Sequence, residues 1–407
     1  MTGICILTET FHPVTGGGET QALALASGFS RMGHDVCVVT RRHDKTLPKS
    51  GLLEGVRIYR VAPSGTGQLR KWALALTTLG PLIRHRNSYS YIIVSGYRIL
   101  GIPAMLVSIL LGKKAILKAD NMGEMSGEYF RDGLAKIGLR PDSFPVRVFL
   151  DLRNALLKRC GAFIAISSPV LHELEACGVA GNTIVRIPNS VDAERFCPAS
   201  EAEKHEIRQT LGIREEAFVV TYTGRLVDYK GLPLLLRVWR EVHAGFGESY
   251  LLLVGSGGLD MHNCETGLRN FVREQGLDDC VTFVGSVGNV QRYLQASDVF
   301  VLPTEREAFG ISLIEAMACG IPVVASGVGG IPDILHDNVD GCLIPAGDFQ
   351  QLRDSLDRLF GDDELRKRLG CRARDSIMQR FTQQAVIEQY LQLLGSSSAG
   401  KVADAGV

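Results

Sequence analysis

The stretch that decides the fold is DVFVLPTEREAFGISLIEAMACGIPVVASG (298–327). It contains a short apolar run typical of a buried strand, a polar loop, an amphipathic run typical of a helix, and a second apolar run that ends in glycine. The same alternation of strand and helix patterns recurs along almost the whole chain. Because alternating strands and helices form a parallel sheet with helices on both faces, the sequence predicts the α/β class.

The strand patterns fall into two series, which indicates two domains. The first series runs from Ile4 to Pro188, and the second begins near Ala217. Residues 192–216 between them are charged and carry only a short helical pattern, so we interpret them as a linker. A chain of 407 residues is too long for one ordinary core and long enough for two domains of about 150–200 residues. We expect these domains at residues 1–190 and 191–380.

Composition excludes several other classes of protein. Hydrophobic residues make up 45% of the chain and charged residues 22%, as in ordinary soluble proteins. The 10 cysteines show neither a CxxC pair nor Cys/His ligand spacing, so we expect free thiols of a reducing compartment and no metal site. The longest apolar stretch, residues 99–112, is shorter than the roughly 20 residues that span a bilayer. No leader pattern precedes the first strand. We expect a cytoplasmic protein without a cofactor and without a nucleic-acid partner.

The net charge of zero hides an asymmetry. Residues 1–188 carry 23 Lys and Arg against 13 Asp and Glu, a formal charge of +10, and the remainder carries −10. Basic clusters border the apolar segments of the first half, at Arg70-Lys71, at Arg84 and Arg86, and at Lys113-Lys114. An interfacial helix on an anionic membrane would have this pattern, and so would a core helix with basic ends. An anionic acceptor or an anionic membrane surface are therefore the partners expected for this half.

Two carboxylates in the opening stretch suggest a ligand site. Glu307 precedes a predicted helix, and Glu315 lies about one and a half turns inside it. The free N–H groups of the first helical turn can hold an anion, whereas carboxylates repel phosphate and accept hydrogen bonds from hydroxyl groups. A sugar nucleotide offers both kinds of group. The alternative is a solvated loop Glu followed by a Glu on the helix surface.

Two cations follow the first strand of the second series. GRLVDYKG (224–231) comes directly after the apolar run AFVVTYT and contains Arg225 and Lys230. Phosphate-rich ligands of open α/β sheets bind at the carboxyl ends of the strands. Two fixed cations at such a strand end could balance the charge of a diphosphate.

A glycine run follows the first strand of the chain. Gly16-Gly17-Gly18 can bring the backbone close to a ligand at the start of a helix, or can simply form a tight turn. The spacing is not GxGxxG because position 21 is Gln, and the second strand ends in VVTRR without an acid, which argues against a nicotinamide-dependent dehydrogenase. The chain also contains no GxxxxGK[ST] motif, so an ATPase is excluded.

These motifs occur in the order and spacing of a known family. Together with LLLVGSGG (251–258), VTFVGSV (281–287), GVGGIPDIL (327–335) and HPVTGGGETQ (12–21), they closely resemble the family 4 retaining glycosyltransferases over nearly the whole chain. The resemblance implies the GT-B architecture, two Rossmann-like domains facing across a cleft, with a last helix, 381–394, that packs back on the first domain. It implies these catalytic residues: Arg225, Lys230 and Glu307. It implies these donor-binding residues: Gly16, Gly17, Gly224, Gly255, Gly257, Val287, Phe309, Gly310, Ile311 and Glu315. It places these residues on the acceptor or sugar side: Glu19, Lys118, Asp120 and Asn121.

One position departs from the family pattern. Many members carry a His near the end of a middle strand of the first domain, where this chain reads ILKADNMGE (116–124). Lys118, Asp120 and Asn121 could contact the sugar or the acceptor there, or could form an ordinary polar strand end.

The resemblance implies metal-independent transfer of a sugar, with retention of configuration, from a nucleoside diphosphate sugar to a glycan or lipid-linked acceptor. A uridine nucleotide is the expected donor, with guanosine second, and the expected context is polysaccharide, lipopolysaccharide or glycolipid synthesis at the inner face of a membrane. Two other classes remain open. A non-hydrolysing sugar-nucleotide epimerase would share the architecture, and a catalytically silent sugar-nucleotide-binding scaffold would have lost the charged set that this chain keeps.

Overall fold

The structure is a computed structural model that describes residues 2–14, 16–65, 68–131, 140, 143–258 and 260–399. The chain divides into two compact units. Unit 1 consists of Met1–Asn189 and Gln383–Val407, and unit 2 consists of Ser190–Thr382.

Unit 1 is built on a sheet with helices between successive strands. The strands are β1 (Gly3–Thr8), β2 (Asp35–Arg41), β3 (Ser50–Leu53), β4 (Val56–Val61), β5 (Tyr91–Ser95), β6 (Lys114–Lys118), β7 (Ala162–Ala165) and β8 (Ile184–Arg186). Their order in the sheet is β3-β4-β2-β1-β5-β6-β7-β8, and every pair is parallel except β3 with β4. The helices are α1 (Gly17–Arg31), α2 (Gln68–Arg84), α3 (Tyr97–Leu111), α4 (Phe144–Leu157) and α5 (Ser168–Ala176).

Unit 2 repeats this plan with a smaller sheet. Its strands are β9 (Phe218–Thr223), β10 (Ser249–Val254), β11 (Val281–Gly285), β12 (Val299–Leu302), β13 (Val323–Ser326) and β14 (Cys342–Ile344), in the parallel order β11-β10-β9-β12-β13-β14. Its helices are α6 (Glu201–Thr210), α7 (Leu232–Phe246), α8 (Glu265–Glu274), α9 (Val290–Gln295), α10 (Ile311–Ala318), α11 (Phe349–Gly361) and α12 (Asp363–Arg380). The predicted α/β class with two parallel-sheet domains is confirmed.

The strand order creates one topological switch point in each sheet. In unit 1, the chain crosses from β1 to β2 on one side and reaches β5 on the other; in unit 2, β9 has β10 on one side and β12 on the other. At such a point the helical connections leave in opposite directions, which opens a crevice at the carboxyl ends of the two strands. The loops that follow β1, β5, β9 and β12 are therefore the places to look for ligand-binding side chains.

The segment that we interpreted as a linker belongs to unit 2. Ser200 and Glu203 form a reciprocal cap at the start of α6, and Ile207 is buried. Arg208 and Lys204 each bond to Asp298 at 2.7 Å, and Asp298 also accepts from the backbone N–H of Val219 on β9 at 2.8 Å. The charges that looked like a solvated linker therefore fix α6 to the sheet, because they meet a carboxylate 90 or more residues away in the chain.

The last helix, α13 (Gln383–Ala399), packs in unit 1. Its apolar side chains Val386, Ile387, Tyr390 and Leu394 join the core formed with α1 and the sheet. The ring of Tyr390 meets Phe29 edge to face, with ring centroids 5.9 Å apart. A single returning helix therefore completes one face of the unit 1 core.

Tyr390 allows a direct test of this packing. Its side chain is fully buried, and its hydroxyl group has no hydrogen-bond partner among the described residues. We expect Tyr390→Ala to lower the free energy of unfolding by about 3–5 kcal/mol because a large buried side chain is lost. Tyr390→Phe should change it by less than about 1 kcal/mol, since only an unpaired hydroxyl is removed. Urea denaturation followed by circular dichroism measures both variants, and an unchanged Tyr390→Ala transition would contradict the packing.

Candidate active site

The predicted catalytic residues lie in the loops at the switch point of unit 2. Arg225 and Lys230 follow β9, and Glu307 follows β12, the neighbouring strand. Lys230 Nζ donates to Glu307 Oε2 at 2.6 Å, and both side chains are mostly shielded from solvent, with exposed fractions of 14% and 16%. The structure thus brings Lys230 and Glu307 into direct contact, 77 residues apart in the chain.

Arg225 is also paired with a carboxylate, one that the sequence did not single out. Its guanidinium contacts Asp260 and donates to the Tyr229 hydroxyl at 2.7 Å. Unlike Lys230, the Arg225 side chain is 60% exposed. Each cation of the expected diphosphate site is therefore balanced by a carboxylate.

Tyr229 links the two loops at the switch point. Its backbone carbonyl accepts from the N–H of Glu305 at 2.8 Å and from the Thr304 hydroxyl at 3.1 Å, both in the loop after β12. Since Tyr229 lies next to Lys230 in the chain, these bonds fix the position of Lys230 relative to the Glu307 loop. A buried tyrosine, Tyr222, supports the same region by donating to the Arg225 carbonyl at 2.8 Å.

The predicted donor-binding glycines stand where no side chain fits. A Cβ atom at Gly255 would lie 1.8 Å from the carbonyl oxygen of Gly224, and one at Gly257 would lie 1.8 Å from Asn263 Oδ1. Gly224 has a φ of +146°, and a Cβ there would approach the Tyr222 hydroxyl at 2.8 Å. The loops after β9 and β10 therefore pack closely on each other at the carboxyl ends of these strands.

The loop after β13 fixes the backbone of Glu307. The N–H of Gly330 donates to the Glu307 carbonyl at 3.1 Å. A Cβ atom at Gly329 would lie 1.7 Å from that same carbonyl oxygen, so only glycine fits at this position. The GVGG sequence, which had no assigned role beyond a turn, is therefore a support for Glu307.

The start of α10 offers backbone donors beside this cluster. Gly310 is its N-cap with a φ of +115° and no side-chain cap, so the first-turn N–H groups, including that of Ile311, have no acceptor from a capping side chain. Phe309, the residue before this N-cap, was expected to contribute through the amides at the helix N-terminus. Its side chain is 3% exposed and packs edge to face on Phe381, so Phe309 is a core residue whose contribution to a ligand can come only from its backbone. Val287, after β11, likewise packs against a small core cluster.

Glu315 lies one turn further along α10 and is only partly accessible to solvent. Burial raises the pKa of its carboxyl group to about 7, against the opposing effect of the Arg195 cation. No described group donates a hydrogen bond to this carboxylate. A desolvated carboxylate without a donor is stabilised by any ligand hydroxyl that donates a hydrogen bond to it.

Two buried hydroxyl groups at strand ends were not singled out by the sequence analysis. Thr223 at the end of β9 and Ser326 at the end of β13 are almost fully buried, and their oxygen atoms have no hydrogen-bond partner among the described residues. Both directly precede a glycine turn, which is the signal that could have indicated them. They lie at the same carboxyl edge of the sheet as the charged residues.

The predicted acceptor-side residues gather at the switch point of unit 1. Lys118 is buried and donates to Asp120 at 2.6 Å, and the Ser95 hydroxyl donates to both oxygens of Asp120 at 2.8 and 2.9 Å. Glu19, in the first turn of α1, accepts from the Thr10 hydroxyl after β1. Gly16 is the N-cap of α1 and Gly17 its first residue.

Residues that the sequence analysis did not single out hold the backbone of Asp120 and Asn121 in place. The N–H groups of both donate to Glu124 Oε1 at 3.1 Å, and burial raises the pKa of Glu124 to about 7 against the pull of Arg98. The carboxylate of Glu173 accepts from the N–H groups of residues 123, 125 and 126 at 2.6–2.9 Å. The loop after β6 is therefore fixed by two carboxylates, of which Glu124 is buried and Glu173 partly buried, a feature that sequence spacing could not indicate.

The raised pKa of Glu315 predicts a pH-dependent stability. Between the pKa of an ordinary Glu and about 7, the folded state binds the proton that the unfolded state has lost, so wild-type stability falls as pH rises through this window. Glu315→Gln stays neutral, so we expect it to be more stable than wild type at pH 8, by up to about 3 kcal/mol, and similar to it near pH 4.5.

Thermal unfolding between pH 4.5 and 8 measures this difference. Glu274→Gln, which changes an exposed Glu at the end of α8, is the matched control and should follow the wild-type profile. Parallel profiles for wild type and Glu315→Gln would mean that Glu315 is not desolvated in the folded protein.

Among the described residues, no helix is long and apolar enough to cross a membrane, and no three His, Cys, Asp or Glu side chains cluster as metal ligands would.

Two family models match the chain. The model described as glycosyltransferase family 4 matches residues 15–195, and the model described as glycosyl transferases group 1 matches residues 203–376. The chain is 27% identical over 226 residues to N-acetyl-alpha-D-glucosaminyl L-malate synthase of Bacillus anthracis, an alignment that covers 56% of this chain and 57% of that protein. The match therefore spans little more than half the length of this curated relative.

Solved structures show the same fold over the whole chain. Sucrose-phosphate synthase from Thermosynechococcus elongatus superimposes with a TM-score of 0.82 at 23% identity, covering 98% of this chain and 100% of that one. Anabaena Alr3699/HepE in complex with UDP and glucose superimposes with a TM-score of 0.78 at 20% identity, covering 97% and 100%. With two family models that together span most of its length and neighbours of this architecture, the chain belongs to the family 4 glycosyltransferases and has the GT-B fold.

Proposed function

We propose that this protein transfers a glycosyl group from a nucleoside diphosphate sugar, with retention of configuration, to a glycan or lipid-linked acceptor. The observation that carries the proposal is the convergence of Arg225, Lys230 and Glu307 at the switch point of unit 2, next to the uncapped start of α10. Cations and free helix N–H groups suit a diphosphate, and carboxylates suit sugar hydroxyls.

The ion pairs of Lys230 and Arg225 can rearrange when a donor binds. A diphosphate brings negative charge to Lys230 and Arg225, so each cation can exchange part of its contact with a carboxylate for a phosphate oxygen. Glu307, released in part from Lys230, can then accept hydrogen bonds from sugar hydroxyls. Glu315, which lacks a donor among the described groups, is suited to the ribose hydroxyls.

Retention is what the resemblance to the retaining family implies, and it requires a route that works without a protein nucleophile. Glu307 is held by Lys230, and no second carboxylate is assigned opposite it, so the pair that a double displacement requires is not available. We propose that the bond from C1 to the phosphate oxygen breaks while the acceptor oxygen bonds to C1 on the same face. The acceptor proton passes to the departing phosphate oxygen. Arg225, Lys230 and the α10 amides stabilise the negative charge that develops on the leaving group, and no metal ion is required.

Two of the compared proteins bear on the choice of donor and acceptor. The Anabaena neighbour was solved with UDP and glucose, which supports a UDP-sugar, and guanosine is the second choice. The Bacillus relative is named for an N-acetylglucosaminyl transfer to malate, so small anionic acceptors occur among relatives. For this chain, we assign the acceptor side to Asp120, Asn121, Lys118 and Glu19 in unit 1.

A non-hydrolysing epimerase is the alternative within the same architecture, and a silent scaffold is the other. An epimerase would change the donor sugar without an acceptor, and a scaffold would bind the donor without turnover. Chromatography of donor and products, with and without an acceptor fraction, separates all three.

We predict that the cations are required for turnover. Arg225→Ala and Lys230→Ala should each lower kcat/KM. The expected loss of transition-state stabilisation is about 2–4 kcal/mol for each variant, by analogy with the loss of one oxyanion donor. The measurement is release of the nucleoside diphosphate in excess EDTA, which the wild-type enzyme should tolerate. Arg237→Ala, which removes an exposed cation of α7, is the matched control. Near-normal turnover in either site variant, or loss of wild-type turnover in EDTA with recovery in Mn²⁺, would contradict the proposed site.

An apolar surface on unit 1 supports a membrane location. The adjacent helices α2, α3 and α4 expose large apolar side chains, which we call the outer helix face: Trp72, Leu76, Ile83, Leu106, Ile109, Leu110, Phe144, Val148 and Leu152. Leu110 and Phe144 are 77% and 80% exposed. Arg84, Arg86 and Arg147 on or next to these helices are exposed as well. Exposed apolar residues among cations fit an anionic lipid surface.

Two of the basic residues expected at this surface make contacts within the protein. Lys113 donates to the Tyr89 carbonyl at 2.8 Å and Lys114 lies 5.6 Å from the Tyr91 ring, so both are engaged with the protein and half-buried. The side chain of Lys71 lies outside the described part of the chain. Arg84 and Arg86 are the better candidates of the predicted clusters.

We predict binding to vesicles that contain acidic lipid at low salt, release near 0.5 M salt, and no binding to neutral vesicles, because the attraction is screened within a Debye length. Leu110→Glu with Leu152→Glu should abolish co-sedimentation, since carboxylates replace two strongly exposed apolar side chains of the outer helix face. Leu52→Glu, on the exposed edge strand β3, is the control. Undiminished binding of the double variant would exclude the outer helix face as the docking surface.

A further inference from the structure

The two loops that carry Asp260 and Arg225 are joined by backbone hydrogen bonds. The N–H of Leu226 donates to the Ser256 carbonyl at 3.2 Å, and the N–H of Cys264 donates to the Leu226 carbonyl at 3.1 Å. The N–H of Asp228 donates to the His262 carbonyl at 3.0 Å. The loop after β9 and the loop after β10 therefore form one framework, and the relative position of Asp260 and Arg225 is set by backbone.

Asp260 is the shielded partner of this pair and Arg225 the exposed one. The N–H of Asp260 donates to the Gly257 carbonyl at 3.2 Å, and its Oδ1 accepts from the N–H of His262 at 3.0 Å, which leaves Oδ2 for Arg225. The side chain of Asp260 is 17% exposed, whereas that of Arg225 is 60% exposed. A long exposed side chain loses conformational freedom when it binds a ligand, unless a fixed group has already selected its conformation.

Tyr229 supplies the second contact on the guanidinium. Its hydroxyl accepts from Arg225 Nη2, and its carbonyl is anchored by Glu305 and Thr304. A guanidinium has five N–H donors in one plane, so two contacts fix this plane and leave three donors for a ligand.

We propose that Asp260 and Tyr229 are positioning residues that hold the Arg225 guanidinium ready for the diphosphate of the donor. This inference rests on the proposed function, since it presumes a nucleoside diphosphate ligand at this site. It assigns roles to a carboxylate and a hydroxyl that act through Arg225 and need not touch the donor themselves.

The direction in which replacement of Asp260 changes diphosphate affinity distinguishes a positioning role from a purely electrostatic one. If Asp260 acted only as a negative charge near the site, its removal would strengthen the binding of an anionic diphosphate. If Asp260 positions Arg225, its removal weakens that binding although a repulsive charge is lost. Asp260→Asn keeps the acceptor for the His262 N–H but presents an amide donor or a weaker neutral acceptor to the guanidinium.

Isothermal titration of the full-length protein with UDP, GDP and the matching nucleosides tests this. We expect Asp260→Asn to weaken diphosphate binding about tenfold and nucleoside binding less than twofold. Tyr229→Phe should weaken diphosphate binding about threefold and provides a second readout if Asp260→Asn folds poorly. Asp228→Asn, in the same framework but without contact to Arg225, should not weaken it.

The double variant decides whether the effect passes through Arg225. In an Arg225→Ala background, Asp260→Asn should cause no further loss of diphosphate affinity. Unchanged or stronger diphosphate binding in Asp260→Asn, or an equal loss of nucleoside binding, would overturn the positioning role. If the wild-type protein binds neither UDP nor GDP, the proposed function fails, and this inference fails with it.

Discussion

The ion pair between Lys230 and Glu307 is the interaction on which the arrangement of the site depends. It joins the loops after β9 and β12 at the point where the strand order of unit 2 reverses, and both side chains are largely shielded from solvent. Removing one partner would leave an uncompensated charge in a poorly hydrated place, which is costly. The bonds of the Tyr229 carbonyl and the close approach of Gly329 to the Glu307 backbone hold the two loops so that this pair can form.

The two ion pairs leave the site without a net charge from these four side chains. Arg225 with Asp260 and Lys230 with Glu307 are two neutral pairs, so the site does not present the bare positive charge that the sequence suggested. A ligand must therefore offer both negative charge for the cations and hydroxyl donors for the carboxylates. A nucleoside diphosphate sugar meets both requirements, whereas inorganic phosphate meets only the first. Paired charges thus favour a composite ligand over a simple anion.

Local patterns were sufficient to predict much of this structure. The apolar runs located the strands of both sheets except β3, and Arg225, Lys230 and Glu307 could be selected because they follow strands that end at one edge. The GVGG turn after β13 was visible as a motif. Its support of Glu307 depends on the close approach of the Gly329 backbone to the Glu307 carbonyl, which arises only in the folded protein.

Contacts between distant residues could not be predicted. Asp260 lies 35 residues from Arg225 in a loop without a periodic pattern, so nothing local marks it as a partner. Phe309 was selected for the amides at the start of α10, and the packing of its buried ring on Phe381 was not predicted. Residues 192–216 were interpreted as a linker because Asp298, the partner of Lys204 and Arg208, lies 90 or more residues away in the chain. The short exposed strand β3 was not predicted, since it has neither alternation nor an apolar run.

The central claim is that the donor diphosphate binds at the switch point of unit 2. Hydrogen exchange measured by mass spectrometry, with and without a saturating nucleoside diphosphate, locates the site directly because bound ligands protect the amides that they contact and the loops that they order. The account predicts protection of peptides covering residues 224–231, 255–264 and 305–315. Protection confined to peptides around residues 8–19 and 95–121 of unit 1, with unit 2 unchanged, would contradict it.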